Sequence, residues 1–345
     1  MRTQVGVAQV ASVKAVPAPT LLVVTPHLAH ANTGNWRTAQ RWARLAAPAW
    51  RPVVLHIEDR LAGTMPARLM LALHARRSRA AIAAWRANAP RRPLVVALTG
   101  TDLYRDVPAG DPDALASLRD ADRLIVLQAD ALAHLPSELR AKARVVHQSA
   151  RTLAPYAAKS PRRFNVLLVA HLREEKDPRT VLEAWRRLPH EAPATLTIVG
   201  AALDPALGEA VRVAARDDSR IRWLGPRPHA WTRQAIRRAH LVVVPSRMEG
   251  GANVVVEAVT AGTPLLASRV SGNVGMLGAG YGGYFPVGDS AALAARLAGV
   301  QRDRAALERL VAQCRTRAPL FTPHVERAAL LAALAEASAL EPDRR

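Results

Sequence analysis

Short apolar runs recur along this chain, continuous rather than alternating: Thr20–Val24, Leu69–Leu73, Leu94–Leu98, Leu124–Leu127 and Arg144–Val146 in the first half, then Phe164–Val169, Thr195–Val199, Ile221–Leu224, Leu241–Val244 and Pro264–Ser268. A strand that is apolar on every residue must be covered on both faces. Between the runs lie segments with helical periodicity, among them Trp36–Leu45, Arg77–Ala87 and Arg179–Leu188. Strand and helix in strict alternation predict parallel sheets wrapped by helices. Arg151–Arg163 carries Pro155 and Pro161, lacks apolar periodicity and reads as a linker, after which the alternation restarts. The 345 residues are enough for two such domains with real cores. The expected division is a loose extension over 1–19, a Rossmann-like domain over 20–155, a second over 156–318, and a C-terminal helix and tail over 319–345. Ser290–Ala339 reads as helix interrupted near Pro319–Pro323.

Composition narrows the function classes. The net charge of +20 is almost all arginine, the lysines being Lys14, Lys142, Lys159 and Lys176. These arginines are spread along the chain, and aromatic residues are only 4%, which leaves few stacking platforms for nucleic acid. No nucleic-acid partner is expected, and the basic balance suits small anionic substrates instead. No run of about 18 apolar residues suggests a membrane span. The first 20 residues hold Lys14 and no continuous apolar core, so a signal peptide is not expected and a cytoplasmic location is the simplest reading. Cys314 has no Cys or His at metal spacing. No strand is followed by G-x-G-x-x-G, which disfavours a dinucleotide, and no cofactor is expected.

The strongest chemical signal is Pro245-Ser246-Arg247-Met248-Glu249-Gly250-Gly251-Ala252-Asn253, running on through Val254–Val256 to Glu257. A strand, a glycine turn and a helix opening onto that turn present free N–H groups and the positive end of a helix dipole, as a phosphate requires. Glu249 falls in the loop and Glu257 about one turn into the helix, and carboxylates accept hydrogen bonds from hydroxyls. Hydroxyls, then phosphates, then hydroxyls again describe a nucleotide sugar. Gly250, Gly251, Ala252 and Asn253 are therefore expected to line its site.

Other candidates follow strands at the same sheet edge, where open parallel sheets bind ligands. Gly34 and Asn35 come after the first strand; they read either as a substrate loop, with Arg37 beside it, or as a plain turn before a helix cap. His74, Arg76 and Arg77 follow Leu69–Leu73. Arginines in a first helical turn oppose the dipole, which makes sense if an anion sits with them. Thr99 and Asp102 end the next strand; Asp102 is either a turn-forming residue or a cleft carboxylate that orients an acceptor or His74. Asp111-Pro112-Asp113 spells D-x-D, but in a loop with no strand before it; a helix N-cap is expected there, and no metal.

Glu249 and Glu257 resemble the E-x7-E element of the large GT-B glycosyltransferase family related to glycogen and sucrose-type synthases. That resemblance implies a GT-B fold, two Rossmann-like domains facing across a cleft, with the C-terminal helix crossing back to the N-terminal domain. It places the donor sugar at Glu249 and the ribose at Glu257. Val169–Asp177 resembles the segment whose basic residues bind the diphosphate, with Lys176 at the family lysine. His171 stands where the family usually has arginine and Asp177 where it has glycine, which leaves Arg173 to replace the missing cation. The match covers roughly Phe164–Asp289 well.

A narrower resemblance spans both halves. Thr33–Ala39, Ala72–Ser78, Ala97–Tyr104, Arg173–Pro178, Glu249–Asn253 and Ser271–Leu277 are similar to the selenosugar synthases of selenoneine biosynthesis. This implies transfer from a UDP-sugar, with UDP-N-acetylglucosamine as the expected donor, to selenophosphate. Lys176, Arg173 and the N–H groups around Gly250–Asn253 would stabilise the leaving diphosphate without a metal. Two rivals stand beside it. A hexosyltransferase with a lipid or polysaccharide acceptor would use an exposed basic-aromatic helix, for which Arg77–Ala87 with Trp85 qualifies. A basic nucleic-acid-binding protein would leave Glu249, Glu257 and the glycine turn without a purpose.

Overall fold

The computed structural model describes residues 17–26, 34–153, 159, 163–190 and 193–340. In the first half, strands β1 (Thr20–Thr25), β2 (Arg51–His56), β3 (Leu69–Leu73), β4 (Leu94–Ala97), β5 (Arg123–Val126) and β6 (Ala143–Val145) alternate with helices α1 (Gly34–Ala46), α2 (Arg79–Asn88) and α3 (Pro112–Asp120). They form one parallel sheet in the order β2-β1-β3-β4-β5-β6. In the second half, β7 (Phe164–Val169), β8 (Ala194–Val199), β9 (Ile221–Trp223), β10 (Leu241–Val244), β11 (Leu265–Ser268) and β12 (Tyr284–Phe285) form another, ordered β12-β11-β10-β7-β8-β9. Its helices are α4 (Pro178–Arg186), α5 (Pro205–Asp217), α6 (His229–Arg238), α7 (Asn253–Thr260), α8 (Ser271–Leu277), α9 (Ser290–Arg302) and α10 (Arg304–Arg317); α11 (Pro323–Ala339) follows. Both domains are parallel α/β, as the continuous apolar runs require.

The local reasons are legible. All six residues of β1 and all five of β3 are buried, as two-sided cover demands. Helices α3, α4, α5 and α11 open with an Asp or Thr whose side chain caps the first turn, followed by proline. Proline costs nothing there, because the N–H it lacks would have had no intrahelical acceptor. Asp111 is one of these caps, accepting from the Ala114 N–H at 2.9 Å, so the D-x-D pair starts a helix.

Helix α11 crosses back. Its Leu330, Ala333, Leu334 and Ala337 are buried with Trp42 of α1 and with Leu21, Leu71 and Val95 of the N-terminal sheet. The second domain keeps a core of its own, which includes Trp185, Leu196, Val243 and Phe285.

Three expectations change. Periodicity does not reveal β2, an edge strand whose residues are exposed or half-buried and therefore need not be apolar throughout. The helix expected from Arg77 starts at Arg79, with Arg76 and Arg77 in the preceding turn. Trp85 is only 1% exposed and packs into the N-terminal core, so this helix presents no aromatic face to a lipid surface. Most of the expected linker, the 27–33 loop and most of the N-terminal extension lie outside the described residues. Among the described residues, no helix is long and apolar enough to cross a membrane.

Candidate functional site

The carboxyl ends of the two sheets face one another across a cleft of about 300 Å³. The segments after β1, β3, β4, β7, β8, β9 and β10 deliver residues to it, whereas the Ser271–Leu277 segment after β11 does not line it; ligand crevices form where strand order reverses, here between β1 and β3 and between β7 and β10.

On the C-terminal side, Glu249 is 7% exposed. Its Oε1 accepts from Lys176 Nζ at 2.6 Å and from Ser246 Oγ at 2.5 Å. Lys176 is aimed by the turn after β7, which ends at Asp177 with φ of +43°. That left-handed backbone is one that glycine adopts most readily. Asp177 is tolerated because its carboxylate caps α4 through the Thr180 N–H and hydroxyl. Arg247 ties the two loops together, with Nε 3.2 Å from Asp177 Oδ2 and its N–H donating to the Glu175 carbonyl at 2.9 Å. Arg173 lines the cleft about half-exposed, 3.8 Å from Glu175. His171 also lines it, its Nδ1 accepting from the Ala201 N–H at 3.1 Å.

Glu257, 8% exposed, sits one turn into α7. Its Oε1 lies 2.6 Å from His229 Nε2, and Arg233 donates to its backbone carbonyl at 3.2 Å. From the opposite domain Arg37 projects its charge onto Glu257, while burial lowers the guanidinium's pKa. No side chain caps α7 at Ala252; the Val255 N–H donates to the Ala252 carbonyl at 2.9 Å, and the Asn253 and Val254 amides come too early in the helix for an intrahelical acceptor.

Glycines 250 and 251 have a role the sequence did not disclose. A Cβ on Gly250 would lie 2.3 Å from the Thr99 carbonyl, and one on Gly251 would lie 2.6 Å from Leu127 Cβ. Both belong to the other domain. The pair lines the cleft and also lets the two domains touch.

On the N-terminal side Gly34, Asn35, Arg37, His74, Arg77 and Thr99 line the cleft as expected. Gly34 and Asn35 form the first turn of α1 rather than a loop. His74 has φ of +72°, its Nδ1 accepts the Arg77 N–H at 3.3 Å, and Nε2 lies 2.9 Å from Thr101 Oγ1. Acceptance at Nδ1 suits the tautomer with its proton on Nε2, and burial lowers the ring's pKa below the ordinary imidazole value against the opposing charge of Asp102.

Two site expectations are corrected. Asp102 is fully buried, and its oxygens accept from the Ala75, Thr99, Gly100 and Leu103 amides at 2.8–3.1 Å. It shapes the two loops that carry His74 and Thr99, with Oδ2 3.9 Å from His74 Nδ1, and does not line the cleft. Arg76 turns away to Asp111, with Nε 2.9 Å from Oδ2, which satisfies the charge that had suggested an anion. Arg105 lines the cleft, with its own Nε 2.9 Å from Asp106 Oδ1. Residues the sequence reading passed over include Arg105, Gln148, His229 and Ser246. The rule that every parallel strand end faces the ligand points to His229, shortly after β9, and to Ser246, two residues after β10.

Comparison with known proteins bears on the fold. Residues 163–303 match the family described as glycosyl transferases group 1. Among solved structures, HepE from Anabaena in complex with UDP and glucose aligns with a TM-score of 0.72 at 16% identity, covering 92% of this chain and 99% of that one. Sucrose-phosphate synthase from Thermosynechococcus elongatus aligns with a TM-score of 0.76 at 17% identity, covering 93% and 99%. The lipopolysaccharide outer core galactosyltransferase WaaB aligns with a TM-score of 0.68 at 14% identity, covering 92% and 99%. The fold is GT-B.

Proposed function

We propose that this GT-B glycosyltransferase takes a sugar from a UDP-sugar, with UDP-N-acetylglucosamine the favoured donor, and passes it to selenophosphate. The observation that carries the donor half is the placement of Glu249, Lys176 and Glu257 along one wall of one cleft. Glu257 suits the ribose hydroxyls, Lys176 and the α7 amides the diphosphate, and Glu249 the sugar. Residues 163–303, the part matching glycosyl transferases group 1, hold all three. Structures of HepE with UDP and with UDP-glucose make uridine the favoured base.

The acceptor half rests on the opposite wall and on the resemblance to selenosugar synthases. Arg37 and Arg77 bring positive charge to the cleft from the N-terminal domain, and Arg105 lines it while paired with Asp106, a basic wall that suits a compact anion. An alcohol acceptor is helped by a base, but Asp102 is saturated with backbone amides and both His74 nitrogens are engaged. Selenophosphate arrives already charged and needs none. A selenium lone pair forms the bond to the anomeric carbon as the carbon–oxygen bond breaks, the electron pair leaving on UDP beside Lys176. Water then cleaves the P–Se bond, releasing phosphate and leaving a selenol on the sugar. The protein's contribution to the first step is positioning and charge.

The deciding experiment incubates the protein with selenophosphate and a panel of UDP-sugars and reads product mass. A selenosugar with stoichiometric UDP supports the proposal. UDP-sugar turnover with a hydroxyl acceptor but none with selenophosphate rejects the acceptor, and no UDP-sugar turnover at all rejects the donor. We assign no metal, so rates should persist in EDTA; loss restored by Mg²⁺ or Mn²⁺ would reverse that assignment.

A further inference from the structure

Helix α11 does more than pack. Glu326, in its first turn, is 0% exposed, in a place where an isolated carboxylate would be strongly disfavoured. It is matched by a dense set of donors. Arg41 Nε lies 2.9 Å from both carboxylate oxygens, Trp42 Nε1 donates to Oε1 at 2.7 Å, and Ser149 donates to Oε2 through its N–H at 2.9 Å and its hydroxyl at 2.5 Å. The donors come from α1 and from the segment after β6, so one carboxylate on the last helix pins two parts of the N-terminal domain.

The chain of contacts continues into the cleft. Arg41 Nη1 reaches across to Asn253 Oδ1 at 3.3 Å. Asn253 is the first residue of α7, the helix that carries Glu257, and it lines the cleft. On the other side, Ser149 adjoins Gln148, a buried cleft residue whose Nε2 donates to Thr38 Oγ1 at 2.6 Å, while Thr38 donates to the Gly34 carbonyl. Asn253 therefore meets the N-terminal domain through a guanidinium that Glu326 orients. The surrounding contact is tight: Gly250 touches the Thr99 carbonyl, and Tyr104 OH lies 3.2 Å from Ser271 Oγ across the same boundary.

We infer that Glu326 is a positioning residue for the cleft: it acts through Arg41 on Asn253, and so fixes the start of α7 against the N-terminal domain when the two domains are closed. A salt bridge whose only task is stability is poorly suited to this place, since apolar replacements of buried ion pairs are often no less stable. A carboxylate that fixes the angle of one guanidinium, which then reaches another domain, specifies geometry. Glu326 touches no substrate. The inference rests on the cleft being a sugar-transfer site, and its test separates the two.

The variants are Glu326→Gln, which keeps the shape and some acceptor capacity, Asn253→Ala, and the pair together. Three quantities are read: UDP affinity by calorimetry, the rate of UDP release at saturating donor and acceptor, and the inter-domain distance distribution. For the last, spin labels are placed on Leu61→Cys and Leu203→Cys, both exposed sites on different domains, with the native Cys314 buried. Glu326→Gln should lower kcat about tenfold, leave the UDP dissociation constant within about twofold, and broaden the distance distribution toward open forms. Glu326 and Asn253 do not touch, so additivity is expected unless Arg41 couples them. The double variant should be no slower than the slower single one. Multiplying effects, or an unchanged distance distribution in a folded Glu326→Gln protein, would overturn the inference. If Glu326→Gln does not fold, Arg41→Met with Asn253→Ala supplies the same cycle one link further along. If the wild-type protein turns over no UDP-sugar, the functional reading fails and the distance arm alone decides the positioning role.

Discussion

Replacing Glu257 by alanine probes the proposed donor site most directly. In the free protein its Oε1 is held by His229 Nε2 at 2.6 Å, and at 8% exposure water offers little substitute. A hydrogen bond to a charged group contributes about 1.5–3 kcal/mol. Under the proposed assignment, ribose hydroxyls must displace or share the His229 contact, which offsets part of that gain, so the lower end applies. About 1.5 kcal/mol corresponds to roughly tenfold weaker UDP binding. Glu257→Gln retains an acceptor without the charge and should fall between wild type and Glu257→Ala. Calorimetry with UDP and with 2′,3′-dideoxy-UDP checks the cause as well as the size. The wild type should favour UDP, and Glu257→Ala should bind the two alike. Unchanged UDP affinity in a folded Glu257→Ala protein, or an equal loss for both ligands, would refute the ribose assignment.

Lys176→Ala should lower kcat by about 10²–10³, the scale for removing one preorganised leaving-group stabiliser, with a smaller effect on uridine affinity; wild-type turnover at saturating donor would exclude it. Arg77→Gln with Arg105→Gln should raise the selenophosphate KM by roughly tenfold or more while UDP affinity stays constant, as expected for lost charge-assisted contacts; weakened UDP binding instead would move the acceptor elsewhere. Burial lowers the pKa of His74 below 6.5, so the native state holds fewer protons than the unfolded chain. Its contribution to stability is complete above about pH 6.5 and is lost as pH falls through the lowered native value. His147, also lowered by burial, acts in the same direction, so His74→Asn, which tolerates the left-handed backbone, should flatten the acid limb only in part. An acid limb identical to wild type in chemical denaturation would show that His74 titrates normally.

The amino-acid sequence alone determined the sheet type and the order of most elements, because two-sided burial demands apolar runs and crossover helices leave their own periodicity. It also placed Glu249 and Lys176 in loops after strands and Glu257 in the helix that follows, since parallel sheets bind ligands there and the strand that precedes each loop is readable. Edge strand β2 escaped for the complementary reason: one open side removes the demand for apolar residues. What a polar side chain touches is a different kind of information. Arg76 and Arg77 are neighbours with the same charge, yet Arg76 meets Asp111 and Arg77 faces the cleft, a choice made by the turn before α2 and by where α3 packs. Asp102 could close a turn or orient an acceptor or His74, and only the packed structure shows it taking the amides of Ala75, Thr99, Gly100 and Leu103 while lying 3.9 Å from His74 Nδ1. Glu326 shows the limit most clearly. In sequence it is an acidic residue in a first helical turn, where any carboxylate is favoured by the dipole. Its burial, and its reach through Arg41 to Asn253, arise because α11 folds back across 285 residues of chain onto Arg41 of α1. Local patterns specify elements, whereas contacts between distant elements exist only once both domains and the returning helix have packed.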